Sequence, residues 1–264
     1  MAKTKITPNA EEPVSTALST TQPEGTVDLS AYNPDQYDDV SRDVSIPVLG
    51  LVHGIGPLAK VYRNKGGNFA LGESALLGEQ VQVVPVTILK YFRETHRNGF
   101  EIKYGSPEDR TRRKFATAQA AAKAGYAIDY HNSLPHRIEE AGLVGYLVVG
   151  PEGDTSGEFA LKKGTFAFAQ AKCSYQRGGF KAVWRRIFDH AHKRAMAQGL
   201  DIKGLDHGEI FNAAGGWSHV WTLTAELVEG NQNSWWEPRI AKSAELPAEV
   251  QQWIGQNYGS TTLQ

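Results

Sequence analysis

The chain of 264 residues has very little cysteine, and this scarcity excludes several kinds of site. Cys173 is its only cysteine, so neither an intrachain disulfide nor a cysteine-based zinc site can form, and a buried structural thiol is expected. The sequence has no apolar run of about 18 residues to span a bilayer, and its N-terminus lacks the apolar segment of a secretory signal. These features predict a protein of a reducing cytoplasm without membrane association.

Sequence motifs of catalytic and phosphate-binding sites are also absent. We find no G-x-x-x-x-G-K-[ST], G-x-G-x-x-G, G-x-S-x-G or H-E-x-x-H pattern. Asp189, His190 and His192 lie close together in a predicted helix, but two residues of separation point the histidines in different directions. The sequence therefore predicts no catalysis, no cofactor and no metal site, and a metal-dependent nuclease is the weaker alternative.

The net charge of −1 hides an uneven distribution along the chain. Residues 1–45 and residues 201–264 each carry three basic and eight acidic side chains. Residues 90–114 carry eight basic and four acidic side chains, and residues 160–194 carry nine and one. Because local fields govern the attraction of a polyanion more than net charge does, we expect a basic groove bordered by acidic segments.

The stretch from Phe166 to Arg194 is the most informative part of the sequence. Its first half alternates between the larger residues at 166, 168, 170 and 172 and the small residues at 167, 169, 171 and 173, which predicts a strand with two different faces. After Gly178 and Gly179, apolar residues at three- and four-residue spacing predict a helix that ends near Gln198. A basic strand with aromatic residues, followed by a basic helix, is typical of a protein that holds a polyanion whose bases can stack.

The remaining pattern indicates one domain behind an acidic tail. Residues 1–43 are rich in Thr, Ser, Pro, Glu and Asp without a sustained apolar period, which predicts a disordered tail. Residues 44–264 show five or six strands, a helical insertion at 105–125, an internal helix and a C-terminal helix. The predicted fold class is mostly β (α+β): an OB-like Greek-key barrel with helical insertions and a C-terminal helix. A β-sandwich is the alternative.

Proteins that bind single-stranded nucleic acids combine a positive groove with aromatic rings on which bases stack. The residues predicted to stack with bases are Tyr62, Phe69, Tyr91, Phe166, Phe168, Tyr175 and Trp221, with Phe92 and Trp217 as further candidates. The residues predicted to contact phosphates are Arg63, Lys65, Lys90, Arg93, Lys172, Arg177 and Lys181. For each aromatic residue, a place in the hydrophobic core is the alternative.

The order of several motifs resembles phage-encoded single-stranded DNA-binding proteins with an OB core. The motifs are IPVLGLVHGIGP, GGNFALG, LLGEQVQVVPVTILKYFRE, AFAQAKCSYQRGGFKAV and WTLTAELVEGNQNSWWEP, within residues 46–93 and 159–240. The resemblance implies a non-catalytic protein that coats single-stranded DNA during replication or recombination in the host cytoplasm, without a cofactor. A phage structural or interaction protein is the main alternative.

The chain departs from the bacterial type of these proteins at its C-terminus. The bacterial type ends in an acidic, Phe-tipped tail that recruits partners, whereas this chain ends in GSTTLQ and carries its acidic segment at the N-terminus. Recruitment of replication or recombination proteins through the C-terminus is therefore not implied. Binding to RNA and self-association are left open.

Overall fold

The computed structural model describes residues 46–103, 106–131, 134–150, 159–175, 179–231 and 233–259. Both the predicted tail, residues 1–43, and Arg177 lie outside the described residues. The strands are β1 (Leu49–Leu51), β2 (Phe69–Leu71), β3 (Ala75–Gly78), β4 (Gln80–Arg97), β5 (Phe100–Glu101), β6 (Lys114–Phe115), β7 (Ala127–Ile128), β8 (Arg137–Val149), β9 (Leu161–Lys163), β10 (Phe166–Tyr175), β11 (His219–Glu229) and β12 (Ser234–Glu245). The α-helices are α1 (Pro57–Val61), α2 (Pro107–Arg110), α3 (Ala118–Lys123), α4 (Gly179–Ala197), α5 (His207–Ala213) and α6 (Ala248–Tyr258).

The main sheet has the strand order β12-β11-β4-β8-β10-β9, with antiparallel neighbours. β4 is central and rich in valine, whose branched side chains favour strands. Pro85 lies at a shift of register between β4 and β8, and a proline inside a strand favours such an irregularity because it has no N–H to donate. Among the described residues the sheet is open, because β12 and β9 at its two ends do not pair. The prediction of a mostly β protein is confirmed.

A second sheet of β1, β2 and β3 lies beside β10. Its strands are antiparallel and adjacent in chain order. The Lys172 backbone N–H donates to the Pro47 carbonyl at 3.0 Å, and Val48 forms a parallel bridge with Lys172. The small sheet therefore continues the hydrogen bonding beyond the edge of β10.

Helices cover both faces of the main sheet. On one face, α4 buries Val183, Trp184 and Ile187 in a core that also holds the alanines of β10, as the alternation of β10 predicts. On the other face, α6 buries Val250 and Ile254 against β4, β8 and β10. The predicted internal and C-terminal helices are therefore confirmed, and each packs on a different face of the sheet.

The predicted single helix at 105–125 is wrong, since the structure has two short helices with β6 between them. Ser106 caps α2 by accepting a hydrogen bond from the Asp109 N–H at 3.3 Å. The chain then pairs with β4, with Phe115 opposite Phe92, and the Phe115 ring packs against Tyr126. Pairing with a long neighbouring strand outweighs the helix propensity of this segment.

Candidate nucleic-acid interface

Four of the aromatic residues predicted to stack with bases belong to the hydrophobic core. Phe69 and Phe168 have no exposed surface, Trp221 is 2% exposed and Tyr91 is 6% exposed. The Phe168 ring stacks on Trp253 of α6, with ring centroids 5.9 Å apart. A ring without accessible surface cannot stack on a base, so these four residues are reassigned from the interface to the core.

The rest of the predicted face of β10 is also covered in large part. The half-buried Phe166 ring lies parallel to Phe168 at 5.8 Å. Gln170 donates a hydrogen bond to the Tyr258 hydroxyl of α6 at 3.1 Å. Lys172 is half-buried, and burial lowers the pKa of its ammonium group. This face is mainly a packing surface for α6. The Tyr175 side chain and Arg177 lie outside the described residues.

Arg93 has a carboxylate partner within the sheet. Its Nε and Nη2 atoms donate to the same carboxylate oxygen of Glu139 at 3.1 and 2.9 Å, and both side chains are 12% exposed. Glu139 lies directly opposite Arg93 on β8. The Arg93 guanidinium thus forms an ion pair that is largely shielded from solvent, and this geometry does not favour phosphate binding by Arg93.

Lys90 and Lys181 share one carboxylate. Their Nζ atoms each lie 3.0 Å from a different oxygen of Glu140. Burial acts to raise the pKa of Glu140, but hydrogen bonds from the two lysines prevail and lower it. Glu140 is therefore ionised at neutral pH, and two lysines beside one carboxylate leave a surplus of one formal positive charge on a partly exposed surface.

Three cations lie on or directly after α1. Lys60, Arg63 and Lys65 are exposed, and within the described part of the chain none of them forms an ion pair. The predicted neighbour Tyr62 is half-buried. Arg63 and Lys65 are therefore the predicted phosphate contacts that the structure leaves most accessible, and Lys60 is an exposed cation that was not among the predicted contacts.

The loop that carries these cations sits on Trp236 of β12. A Cβ atom added at Gly66 would lie 2.8 Å from the Trp236 Nε1, and one added at Gly67 would lie 2.9 Å from its Cζ3. Gly67 also has a φ of +84°, a backbone conformation that residues other than glycine rarely adopt. The two glycines are therefore needed for the close approach that positions Arg63 and Lys65.

Contacts continue from this loop to Lys90. Trp236 and Pro238 are two residues apart on β12 and share a face of the strand. The first residue of α4, Gly179, lies so close to Pro238 that an added Cβ atom would be 2.6 Å from its Cδ. Two residues further on, Lys181 reaches Glu140 and hence Lys90. We call Lys60, Arg63, Lys65, Lys181 and Lys90 the basic track.

A cleft of about 510 Å³ lies at the Lys90 end of the basic track. It is bounded by residues 89–92 of β4, residues 116–118 before α3 and residues 204–208 before α5. On its wall, the His207 ring packs against Phe188 at 4.5 Å and Trp184 at 5.2 Å. Burial, and secondarily the charge of Lys90, lowers the pKa of His207, so this imidazole is neutral at neutral pH. The cleft thus combines the cation of Lys90 and the carboxyl group of Asp206 with neutral hydrogen-bonding and aromatic groups.

The most exposed aromatic residues of the described chain were not among the predicted contacts. Phe100 is 79% exposed, Tyr130 is 75% exposed and Trp235 is 43% exposed. Phe100 follows Asn98 and Gly99, and an Asn-Gly pair is the strongest local signal of a tight β-hairpin. The exposure of Phe100 could therefore have been predicted from its position directly after this turn.

The histidines of α4 diverge as their spacing predicts. The His190 ring faces β11, where it lies 5.0 Å from His219 and 5.3 Å from Trp221, whereas His192 lies 5.9 Å from Phe188. Among the residues that the structure describes, no three His, Cys, Asp or Glu side chains are grouped so that they could hold a metal ion. Nothing in this geometry favours the nuclease alternative.

None of the described helices combines the length and the apolar character that crossing a bilayer requires. Comparisons with models of protein families, with curated proteins and with solved structures give no significant match. The functional argument therefore rests on the geometry of the molecule.

Proposed function

We propose that this protein binds single-stranded DNA without catalysis, through the basic track. The observation that carries the proposal is that β12 supports both ends of the basic track: the loop of Arg63 and Lys65 rests on Trp236, and Gly179, two residues before Lys181, packs on Pro238. Cations along such a surface neutralise successive phosphates of one strand. As in the phage proteins that the sequence resembles, the role would be to coat single strands during replication or recombination.

The arrangement of the strands supports an OB-like core for this proposal. When β4, β8, β10, β11 and β12 are numbered one to five in chain order, the sheet runs 5-4-1-2-3. This is the order of an OB barrel opened between its third and fifth strands. β1 lies at that opening, because Val48 bridges to β10 and β1 also contacts β12.

The proposal predicts a steep dependence of affinity on salt. Each phosphate neutralised on a single strand contributes about −0.7 to the slope of log affinity against log salt concentration. Because Glu140 offsets one of the two lysines beside it, the basic track has four net positive charges, which would give a slope of about −2.8 and about a 50-fold loss of affinity between 50 and 200 mM salt. Removing Arg63 and Lys65 would leave a slope of about −1.4 and a loss of about 7-fold.

The test is a titration of a fluorescein-labelled dT oligomer, followed by anisotropy at both salt concentrations, with and without magnesium. The double variant Arg63→Ala, Lys65→Ala should bind more weakly at low salt and show the smaller slope. The double variant Lys123→Ala, Lys162→Ala removes the same charge from exposed positions outside the basic track and should keep the wild-type slope.

Two results would contradict the proposal. Absence of binding by the wild-type protein at low salt would favour the structural or interaction protein. Shortening of the oligomer when magnesium is present would favour the nuclease.

A further inference from the structure

The tip of the hairpin between β4 and β5 presents an aromatic ring on a firmly held backbone. Asn98 and Gly99 have positive φ angles of 52° and 84°, as a two-residue turn requires. The Gly99 N–H donates to the Pro135 carbonyl at 2.7 Å, and the Ile102 N–H donates to the Thr95 carbonyl at 2.8 Å. The hairpin is thus fixed on both sides, while the Phe100 ring is 79% exposed.

A buried carboxylate anchors the base of this hairpin. Glu94 has no exposed surface, and it accepts hydrogen bonds from the Arg97 Nε at 3.0 Å and from the Tyr126 hydroxyl at 3.0 Å. The Arg97 Nη2 also donates to the Thr111 carbonyl at 2.7 Å, which ties α2 to the hairpin. The walls on both sides of Phe100 are therefore held in place before any ligand binds, which lowers the entropic cost of binding.

Beside Phe100 the surface forms a cleft of about 450 Å³. This volume is within the range of about 300–1,000 Å³ that small-ligand sites occupy. Besides Phe100, the charged residues of its lining are Arg97, Glu101, Lys103 and Glu108. The pKa of the Glu108 carboxyl is lowered by a hydrogen bond from its own backbone N–H and by another from Ser106, so it is an ionised acceptor. The cleft thus joins one apolar ring to two carboxylates, to Lys103 and to Arg97, whose guanidinium pairs with the buried Glu94.

This combination fits an unpaired nucleobase better than a protein segment. A docked protein helix or strand would need a contiguous apolar surface, whereas the ring of Phe100 is bordered by charged side chains. A base has a flat apolar face for Phe100 and a polar edge for the carboxylates, and its phosphate suits Lys103. Carboxylates accept from the amino group of cytosine, whereas thymine presents a carbonyl oxygen at the same position.

We propose that the cleft beside Phe100 binds one unpaired base of the strand held by the basic track, and that it prefers cytosine to thymine. The inference rests on the proposed function and adds a second contact point to it. Lys90 and Arg97 lie on the same strand, β4, and about 3.3 Å per residue places them about 23 Å apart. A bound strand that reaches both points must therefore cover several nucleotides.

The test uses full-length protein and oligomers of equal length made of dC or dT, with binding measured by anisotropy. Phe100→Ala should weaken the binding of dC by about 5- to 150-fold, because stacking of one base contributes about that factor. Phe100→Tyr should bind within about 3-fold of wild type, since the ring is kept. The wild type should prefer dC by about 2- to 10-fold, and Glu101→Gln should reduce this preference.

Met196→Ala removes an exposed apolar side chain of α4 and serves as the control that should bind as the wild type does. Unfolding midpoints verify that all variants fold, which is expected because Phe100 is exposed. A 2-aminopurine base in the oligomer should lose fluorescence on binding to the wild type and to Phe100→Tyr, but less on binding to Phe100→Ala.

The outcomes separate this inference from the proposed function. If Phe100→Ala binds as the wild type does while the double variant Arg63→Ala, Lys65→Ala binds more weakly, the cleft does not bind a base, but the proposed role of the basic track stands. Failure of Phe100→Tyr to restore binding would also overturn stacking. If the wild type binds neither oligomer, both proposals fall.

Discussion

Strand β10 and the loop after α1 are alike in sequence, since both mix aromatic and basic residues, but the fold uses them in opposite ways. On β10, Phe168 has no exposed surface and Lys172 is half-buried. On the loop, Arg63 and Lys65 are exposed, and the ring beneath them is Trp236 of a distant strand. The first region is a packing surface, whereas the second leaves its cations exposed and is part of the proposed binding surface.

The difference arises from segments far away in the chain. Alternation along β10 shows which residues share a face, but α6 decides that this face is covered, and α6 begins at Ala248. The loop instead lies at the margin of the small sheet, where Gly66 and Gly67 allow it to rest on Trp236 without burying its cations. Mixed aromatic and basic composition therefore indicates binding only where no later element packs on the same face.

The largest effect expected from this comparison is on stability. Phe168→Ala should lower the free energy of unfolding by about 3–5 kcal/mol, because it leaves a cavity between β10 and α6. Urea unfolding followed by circular dichroism measures the loss. Phe166→Ala is the matched control on the same face and should cost less, since Phe166 is only half-buried. A loss below about 1 kcal/mol for Phe168→Ala would place this residue at the surface instead.

The loop can be tested through its contact with Trp236. Gly67→Ala should cost about 1–3 kcal/mol of stability and weaken DNA binding, because the residue has a positive φ and an added Cβ atom would overlap the Trp236 ring. Gly164→Ala is the control, since Gly164 has a φ of +62° but no atom within 4 Å of an added Cβ. Urea unfolding and anisotropy measure both variants. If Gly67→Ala and Gly164→Ala lose the same stability and Gly67→Ala does not weaken DNA binding, the contact of the loop with Trp236 is unimportant for both properties.

Local pattern was sufficient for the elements whose burial follows from their own sequence. The two faces of β10 and the apolar stripe of α4 were readable because alternation and three- or four-residue spacing report directly on packing. The extent of β8 was not readable. The apolar run in its sequence begins at Leu143 and by itself indicates a strand from there, whereas in the structure the strand begins at Arg137. Pairing with β4 draws the preceding polar residues into the sheet.

The shorter β8 expected from the sequence explains why the ion pairs of two predicted phosphate contacts, Arg93 and Lys90, were not foreseen. The six additional residues of β8 include Glu139 and Glu140, which pair with Arg93 and Lys90. Register between strands is set by the whole sheet, so these carboxylates had no visible partner in the sequence. The helical pattern of residues 105–125 failed for a similar reason, because Lys114 and Phe115 pair with β4. The sequence pattern therefore could not predict which charged side chains stay exposed at the surface, because this depends on the pairing of distant strands.

The smallest expected effect concerns the hydrogen bond that joins α6 to β10. Tyr258→Phe removes the hydroxyl that accepts from Gln170 and should cost about 0.5–1.5 kcal/mol of stability. Tyr130→Phe, at a residue that is 75% exposed, should change stability by less than about 0.5 kcal/mol. A double-mutant cycle of Tyr258→Phe with Gln170→Ala, measured by urea unfolding, should give a coupling of about 0.5 kcal/mol or more, since the two residues are in contact. A coupling of zero would mean that α6 does not hold this position on β10 in solution, and the face of Phe166 and Phe168 would again be a candidate for stacking with bases.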